Sequence, residues 1–375
     1  MPRPQEDAQE AVTGGGAASG DGGAAPSAGG GVPAVEDPDK VKPTLFIGLF
    51  ITSLLGLGVY DLTANLEENK CSMTYMYEYP EYIRIDMPEP ISQKYPKYGL
   101  YAYAEGKMAE QVKSGKFSGI PVVFIPGNSG SYKQVRSMAS VALRKAIDDS
   151  EYKTHFDYFS VDFSEEYSAI YGGVLEHQAD YLRQSIAKIL SLYPKKSNKN
   201  PTSVVILGHS LGGVIAKSLF LNPEFNPSQV QVVITLSTPH TPVLIMDKHT
   251  QDFYSKVNQL WEEARSTTLR HVTLVSIGGG ERDLQVRSGL TQDKFGDLNV
   301  DSTAASSVWI PTDHRCIVWC KQLVLALNRV LFDMVDSNSK QITMDFDLRS
   351  KVAHYHLYKR YNFWIQAFVF GLSIN

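Results

Sequence analysis

Residues 204–212 read Val-Val-Ile-Leu-Gly-His-Ser-Leu-Gly, a strand that runs into a serine turn. An apolar, β-branched run passes without a break into Gly-x-Ser-x-Gly. The residues after it, Gly213-Val214-Ile215-Ala216-Lys217-Ser218-Leu219-Phe220, suit a helix. Strand, sharp turn and helix together hold a serine hydroxyl clear of its own backbone, where it can attack a carbonyl carbon. Ser210 is therefore the candidate nucleophile. Gly208 and Gly212 fit the turn because a Cβ at either position would crowd it.

Outward from this elbow, short apolar runs alternate with helical stretches. The strand candidates are 121–126, 156–162, 203–208, 230–236 and 271–277, and the helix candidates are 131–148, 174–192, 211–221, 250–266 and 316–335. That alternation predicts an α/β fold, and the serine elbow within it points to the α/β-hydrolase kind. Its central sheet is mostly parallel, with helices on both faces and the functional residues at the carboxyl ends of the strands. Tyrosine-rich segments at 74–85 and 97–103 predict an opening hairpin. An insertion over 240–270 carries Phe253, Tyr254, Val257, Leu260 and Trp261 at amphipathic spacing. It is either a cap over the pocket or an ordinary packing helix.

A serine hydroxyl needs a base to take its proton. In this fold the acid and the histidine follow the nucleophile in the chain. Asp283 lies beyond the strand candidate 271–277 and the loop Gly278-Gly279-Gly280, and is the expected acid; Glu281 is its near rival. Of nine histidines only His314, His354 and His356 follow Asp283. His314, in Trp-Ile-Pro-Thr-Asp-His (309–314), is the expected base, since the other two sit on a charged, aromatic tail. The oxyanion needs two backbone N–H donors. Leu211, directly after the nucleophile, supplies one, and Asn128, in the loop Pro126-Gly127-Asn128-Ser129-Gly130-Ser131, supplies the other.

The chain has 375 residues, 43% hydrophobic and 20% charged, which suits one large catalytic domain with appendages. Net charge is −4. There is no basic cluster interleaved with aromatics, so nucleic acid is not an expected partner. No metal-ligand set and no phosphate-binding loop occur, so no metal and no cofactor are expected. Cys71, Cys316 and Cys320 are an odd count that describes no disulfide framework. Cys316 and Cys320, four apart on an expected helix, read as two buried thiols.

Residues 1–42 are rich in Gly, Ala and Pro and are expected to be a disordered tail. Residues 43–62, with a charge-free core at 44–60, approach the length that crosses a bilayer and are expected to be a transmembrane anchor. Lys40 and Lys42 precede it, and Asp61, Glu67 and Glu68 follow. The expected orientation leaves the tail cytosolic and the main domain lumenal. The catalytic domain is expected over 66–345, with 346–375 a C-terminal tail that looks cut short.

Four strings resemble the GPI inositol-deacylases: Glu68–Met76, Pro126–Arg136, Asp283–Leu290 and Thr312–Leu323. The resemblance spans roughly residues 66–360. It implies a serine esterase of α/β-hydrolase fold in the endoplasmic-reticulum membrane. Its substrate would be the acyl chain esterified to inositol in the glycolipid anchor of newly made GPI-anchored proteins, within membrane lipid. Deacylation would promote their maturation and export. On matching positions Ser210 is the nucleophile, Asp283 the acid and His314 the base, with Asn128 and Leu211 as oxyanion donors. Members of that family run much longer than this chain. Two other readings stand beside it: a general membrane-anchored lipase or thioesterase, which Leu236-Ser237-Thr238-Pro239-His240 would also suit, and a catalytically silent fold that acts as a binding module.

Overall fold

Valine, isoleucine and phenylalanine crowd the strand segments, and a computed structural model assembles them into a single eight-stranded sheet. The structure describes residues 38–64, 68–150, 154–194, 200–242 and 247–358. It divides into two units, Met1–Ala64 and Asn65–Asn375. In the first, Pro38–Ala64 is one helix. Its stretch Leu45–Ala64 has 20 residues, a mean hydropathy of 1.9 and no buried part, long and apolar enough to cross a membrane. The helix begins at Pro38, so residues 38–42 are helical where the sequence predicts tail. The rest of that expected tail lies outside the described residues.

In the second unit the strands are β1 (Pro80–Arg84), β2 (Gly99–Glu105), β3 (Ile120–Ile125), β4 (Phe156–Asp162), β5 (Val204–His209), β6 (Val230–Leu236), β7 (Thr273–Gly278) and β8 (Leu298–Asp301). Their spatial order is β1-β2-β4-β3-β5-β6-β7-β8. The β1–β2 and β2–β4 pairs are antiparallel and the remainder parallel. β3, β5, β6 and β7 are buried along their whole length. A parallel strand covered on both faces has no polar side, which is why these segments appear in the sequence as unbroken apolar runs.

Successive side chains alternate between two cores. Val123, Ile206, Val233 and Leu274 enter one, with Leu182 and Ile186 of helix Leu175–Ser191. Val122, Val205, Val232 and Val275 enter the other, with Met138 of helix Arg136–Ser150 and Leu327 of helix Lys321–Asp333. The 240–270 insertion contributes helix Lys248–Ala264 to the first core, where Phe253, Tyr254, Val257 and Trp261 are buried. The Trp261 indole N–H donates to the Lys217 carbonyl at 3.0 Å. Of the two readings left open for this segment, it is the packing helix.

Two expectations are corrected. Residues 346–357, assigned to a tail, form a helix, Phe346–Leu357. Its Arg349 is fully buried and donates to Thr273 Oγ1 at 3.0 Å and to the carbonyls of Thr343 and His271. A buried guanidinium is satisfied only by several acceptors at once, and these bind the helix to β7 and the residues beside it. His356, placed by the sequence on that tail, packs against Asp333, with Nε2 2.6 Å from Oδ2. Cys71 and Cys320 form a disulfide across 249 residues, and only Cys316 is a free buried thiol among the described residues. An odd count conceals one bond plus one thiol. Cys320 sits just before helix Lys321–Asp333 rather than on it, and its partner lies on the segment entering the domain, where Met73 bridges to Cys320.

Candidate active site

β5 ends at His209 and the next helix begins at Leu211, which leaves Ser210 alone to make the turn. Its backbone sits at φ 55° and ψ −131°, a region that costs a non-glycine residue roughly 1–3 kcal/mol. The surroundings hold it there. The Ser210 N–H donates to the Leu236 carbonyl at 2.9 Å. A Cβ on Gly212 would lie 2.2 Å from the Ile125 carbonyl oxygen, and one on Gly208 would lie 2.6 Å from Gly213 Cα. Both positions therefore exclude a side chain, as the turn demands.

Asp283 and His314 meet. His314 Nδ1 lies 3.0 Å from Asp283 Oδ2. Asp283 Oδ1 accepts from the N–H groups of Gln285 at 3.1 Å and Val286 at 2.8 Å. Burial pushes the Asp283 carboxyl up. The hydrogen bond from the His314 ring, the attraction of that ring's charge and the Val286 N–H outweigh it and hold the carboxyl below its ordinary range. The rival, Glu281, is exposed. An ionised carboxylate at Nδ1 fixes the proton on that nitrogen and leaves Nε2 as the acceptor.

The strand end also reaches His314. His209 Nε2 lies 2.8 Å from the His314 carbonyl oxygen, and the two rings are 4.9 Å apart. Burial, with the neighbouring His314 adding to it, drives His209 down to about 4, so its ring is neutral and its N–H donates. Sequence reasoning missed His209. Its signal was available: a histidine on the last residue of a buried strand must find a partner. Among the described residues no hydrogen bond joins Ser210 Oγ to His314. Such bonds are often open in a free enzyme and tighten around the reacting group.

The loop after β3 lies against the elbow. A Cβ on Gly127 would come 3.0 Å from Ser210 Oγ. Asn128 spends its side chain on structure, with Oδ1 accepting from the Ala169 N–H at 2.9 Å. Ser129, at φ 49°, donates its N–H to the Glu166 carbonyl at 2.9 Å. Among the described residues the N–H groups of Asn128 and Leu211 have no protein acceptor. The second is an orphan donor at a helix start, where partial positive charge gathers.

Behind the elbow lies a second polar cluster that the sequence did not reveal. Lys217 and His240 Nδ1 both contact Asp293 Oδ2, the latter at 3.1 Å. His240 Nε2 lies 3.0 Å from Thr235 Oγ1 and 3.1 Å from Ser276 Oγ. Burial drives His240 to about 3, partly opposed by Asp293. His209 and His240 thus stay neutral in the folded chain while the unfolded chain protonates them near 6.5. Between those values the unfolded state binds more protons, so stability falls as pH falls. The loss is about 3 kcal/mol per histidine by pH 4. Denaturant unfolding at pH 7 and pH 5 should show a drop that His240→Gln makes shallower. An unchanged slope in that variant would remove His240 from the account.

Residues 116–334 match the family model described as the PGAP1-like alpha/beta domain. The chain belongs to this family. It is 45% identical over 316 residues to a mouse protein named GPI inositol-deacylase, covering 82% of this chain and 34% of that one. A Xenopus laevis protein of the same name is 47% identical over 309 residues, with 81% and 33% covered. One from Schizosaccharomyces pombe is 32% identical over 340 residues, with 82% and 29% covered. The chain spans about a third of the length of the curated relatives it matches.

Proposed function

We propose that the chain is a serine esterase that removes the acyl chain ester-linked to inositol in GPI anchors. The observation that carries the reading is the hydrogen-bonded Asp283–His314 pair beside the strained Ser210 elbow, in a chain of this family. His314 Nε2 takes the Ser210 proton as Oγ attacks the ester carbonyl. The N–H groups of Leu211 and Asn128 receive the developing oxyanion. Asp283 steadies the imidazolium, which then returns the proton to the departing inositol oxygen. Water, activated by the same ring, releases the fatty acid from the acyl-enzyme.

Exposed apolar side chains crowd the loops beyond the carboxyl ends of the strands: Tyr167, Ile170 and Tyr171 after β4, Leu284 after β7, and Trp309 after β8. They favour a lipid substrate over a polar one. Purified chain incubated with inositol-acylated GPI should release free fatty acid and leave a product sensitive to phosphatidylinositol-specific phospholipase. Labelling of Ser210 by a fluorophosphonate without that release would point to another ester substrate. No labelling would make the fold a silent module.

The same reading places the protein in the endoplasmic-reticulum membrane, its domain in the lumen and GPI-anchored proteins as its partners. The Cys71–Cys320 disulfide favours that side, because such bonds persist in oxidising compartments. Protease added to intact microsomes should remove only the N-terminal tail. Digestion of the catalytic domain without detergent would overturn the orientation.

A further inference from the structure

The loop that carries His314 has little regular structure of its own. Between Ile310 and Cys320 it forms only the single turn Cys316–Val318. Something else must hold its backbone, because a displacement of about 1 Å at a reacting group can cost up to 10²-fold in rate. One support is the His209 bond to the His314 carbonyl. The other comes from the far end of the sequence.

We propose that Asn69–Met73 is a clamp that positions His314, closed by the Cys71–Cys320 disulfide; this rests on the serine-esterase reading above. Asn69 Nδ2 donates to Asp313 Oδ2 at 3.2 Å. The other oxygen of Asp313 accepts from the N–H groups of Arg315 at 3.0 Å and Cys316 at 2.8 Å. Asp313 therefore shapes the turn immediately after His314, and Asn69 fixes Asp313. Asn69 is itself braced, since its Oδ1 accepts from the Cys71 N–H at 3.0 Å. The clamp continues along the strand-like pairing of the two segments. Lys321 N–H donates to the Ser72 carbonyl at 3.0 Å, Ser72 N–H to Gln322 Oε1 at 3.1 Å, and Thr74 Oγ1 to the Trp319 carbonyl at 2.7 Å. The disulfide ties the centre of this seam covalently, six residues past His314.

None of the clamp residues touches Ser210 or Asp283 in these contacts. They are positioning residues, and the rate through His314 depends on the oxidation state of one bond. Cys316 complicates a direct test, because its Sγ lies 3.3 Å from Cys71 Sγ and can take over the pairing once the bond opens. A Cys316→Ser background removes that route.

The test uses the full anchored chain in detergent micelles, carrying Cys316→Ser. It measures the rate of Ser210 labelling by a fluorophosphonate and the kcat and KM on a soluble p-nitrophenyl ester. Reduction, verified by maleimide addition at Cys71 and Cys320, should lower labelling and kcat about tenfold, leave KM unchanged, and be reversed by oxidised glutathione. Asn69→Ala keeps the disulfide and should lower kcat by about two- to fivefold, again at constant KM. Arg349→Met serves as a control that destabilises the domain away from the loop, and should reduce the melting temperature without changing the labelling rate of folded protein. Full reduction with intact circular dichroism and an unchanged rate overturns the clamp. So does an Asn69→Ala enzyme indistinguishable from its parent, which decides the matter even if the reduced domain unfolds. An oxidised parent that takes up no fluorophosphonate sinks the esterase reading instead.

Discussion

Ser210→Ala is expected to reduce ester turnover on the order of 10⁵-fold and to abolish fluorophosphonate labelling, with folding intact. The hydroxyl is all that the substitution removes. The bond from the Ser210 N–H to Leu236 is made by the backbone and survives, and the helix after the elbow keeps its start. Alanine also inherits the unfavourable φ of 55°, so its melting temperature should match the parent's. Ser210→Gly should be just as inactive yet more stable, by roughly 1–3 kcal/mol, because glycine occupies that conformation without strain. Rate and melting temperature measured on the three proteins separate chemistry from strain. An alanine variant that still turns over substrate would exclude Ser210 as the nucleophile.

The second large effect belongs to the pair behind it. His314→Ala is expected to be about as damaging as Ser210→Ala, and the double variant no worse than either, because the groups act as one unit. Asp283→Asn should cost about 10³–10⁴-fold, for a reason the local hydrogen bonds dictate. Oδ1 of Asp283 already accepts from Gln285 and Val286, so an asparagine must keep its oxygen there. Its NH₂ is then forced toward His314 Nδ1, which becomes the acceptor. Nε2 carries the proton and can no longer take one from serine. Glu281→Gln, at an exposed position, should change the rate by less than about twofold. A Glu281 effect as large as the Asp283 effect would transfer the acid role.

What was legible in the sequence was whatever local pattern dictates. β3, β5, β6 and β7 lie within two residues of the apolar runs that predict them, because strands buried on both faces leave a continuous signature. Chain order and strand ends brought Asp283 and His314 to notice, and the structure places them 3.0 Å apart. The illegible parts depend on distant partners. β8, Leu298–Asp301, alternates over only four residues beside β7 and is too short to show a period. Helix Phe346–Leu357 looked like a tail because its fixing residue is an arginine, whose burial is decided by acceptors on Thr273, Thr343 and His271. Cys71 and Cys320 are 249 residues apart, and no spacing rule reaches that far. His209 was overshadowed by the serine beside it.

Arg349 and Cys320 also set a timetable. A chain made from its N-terminus delivers β3 through β6 early, but the residue that buries its charge against Thr273 comes 76 positions after that threonine. Cys71 waits still longer for its partner. Until the ribosome has passed both, the outer face beside β7 lacks its covering helix, and the first cysteine of the chain lacks its mate. These two closing contacts therefore form only late in synthesis. Before that point the incomplete domain exposes apolar surface beside β7 and carries an unpaired Cys71, two liabilities that only the last part of the domain removes.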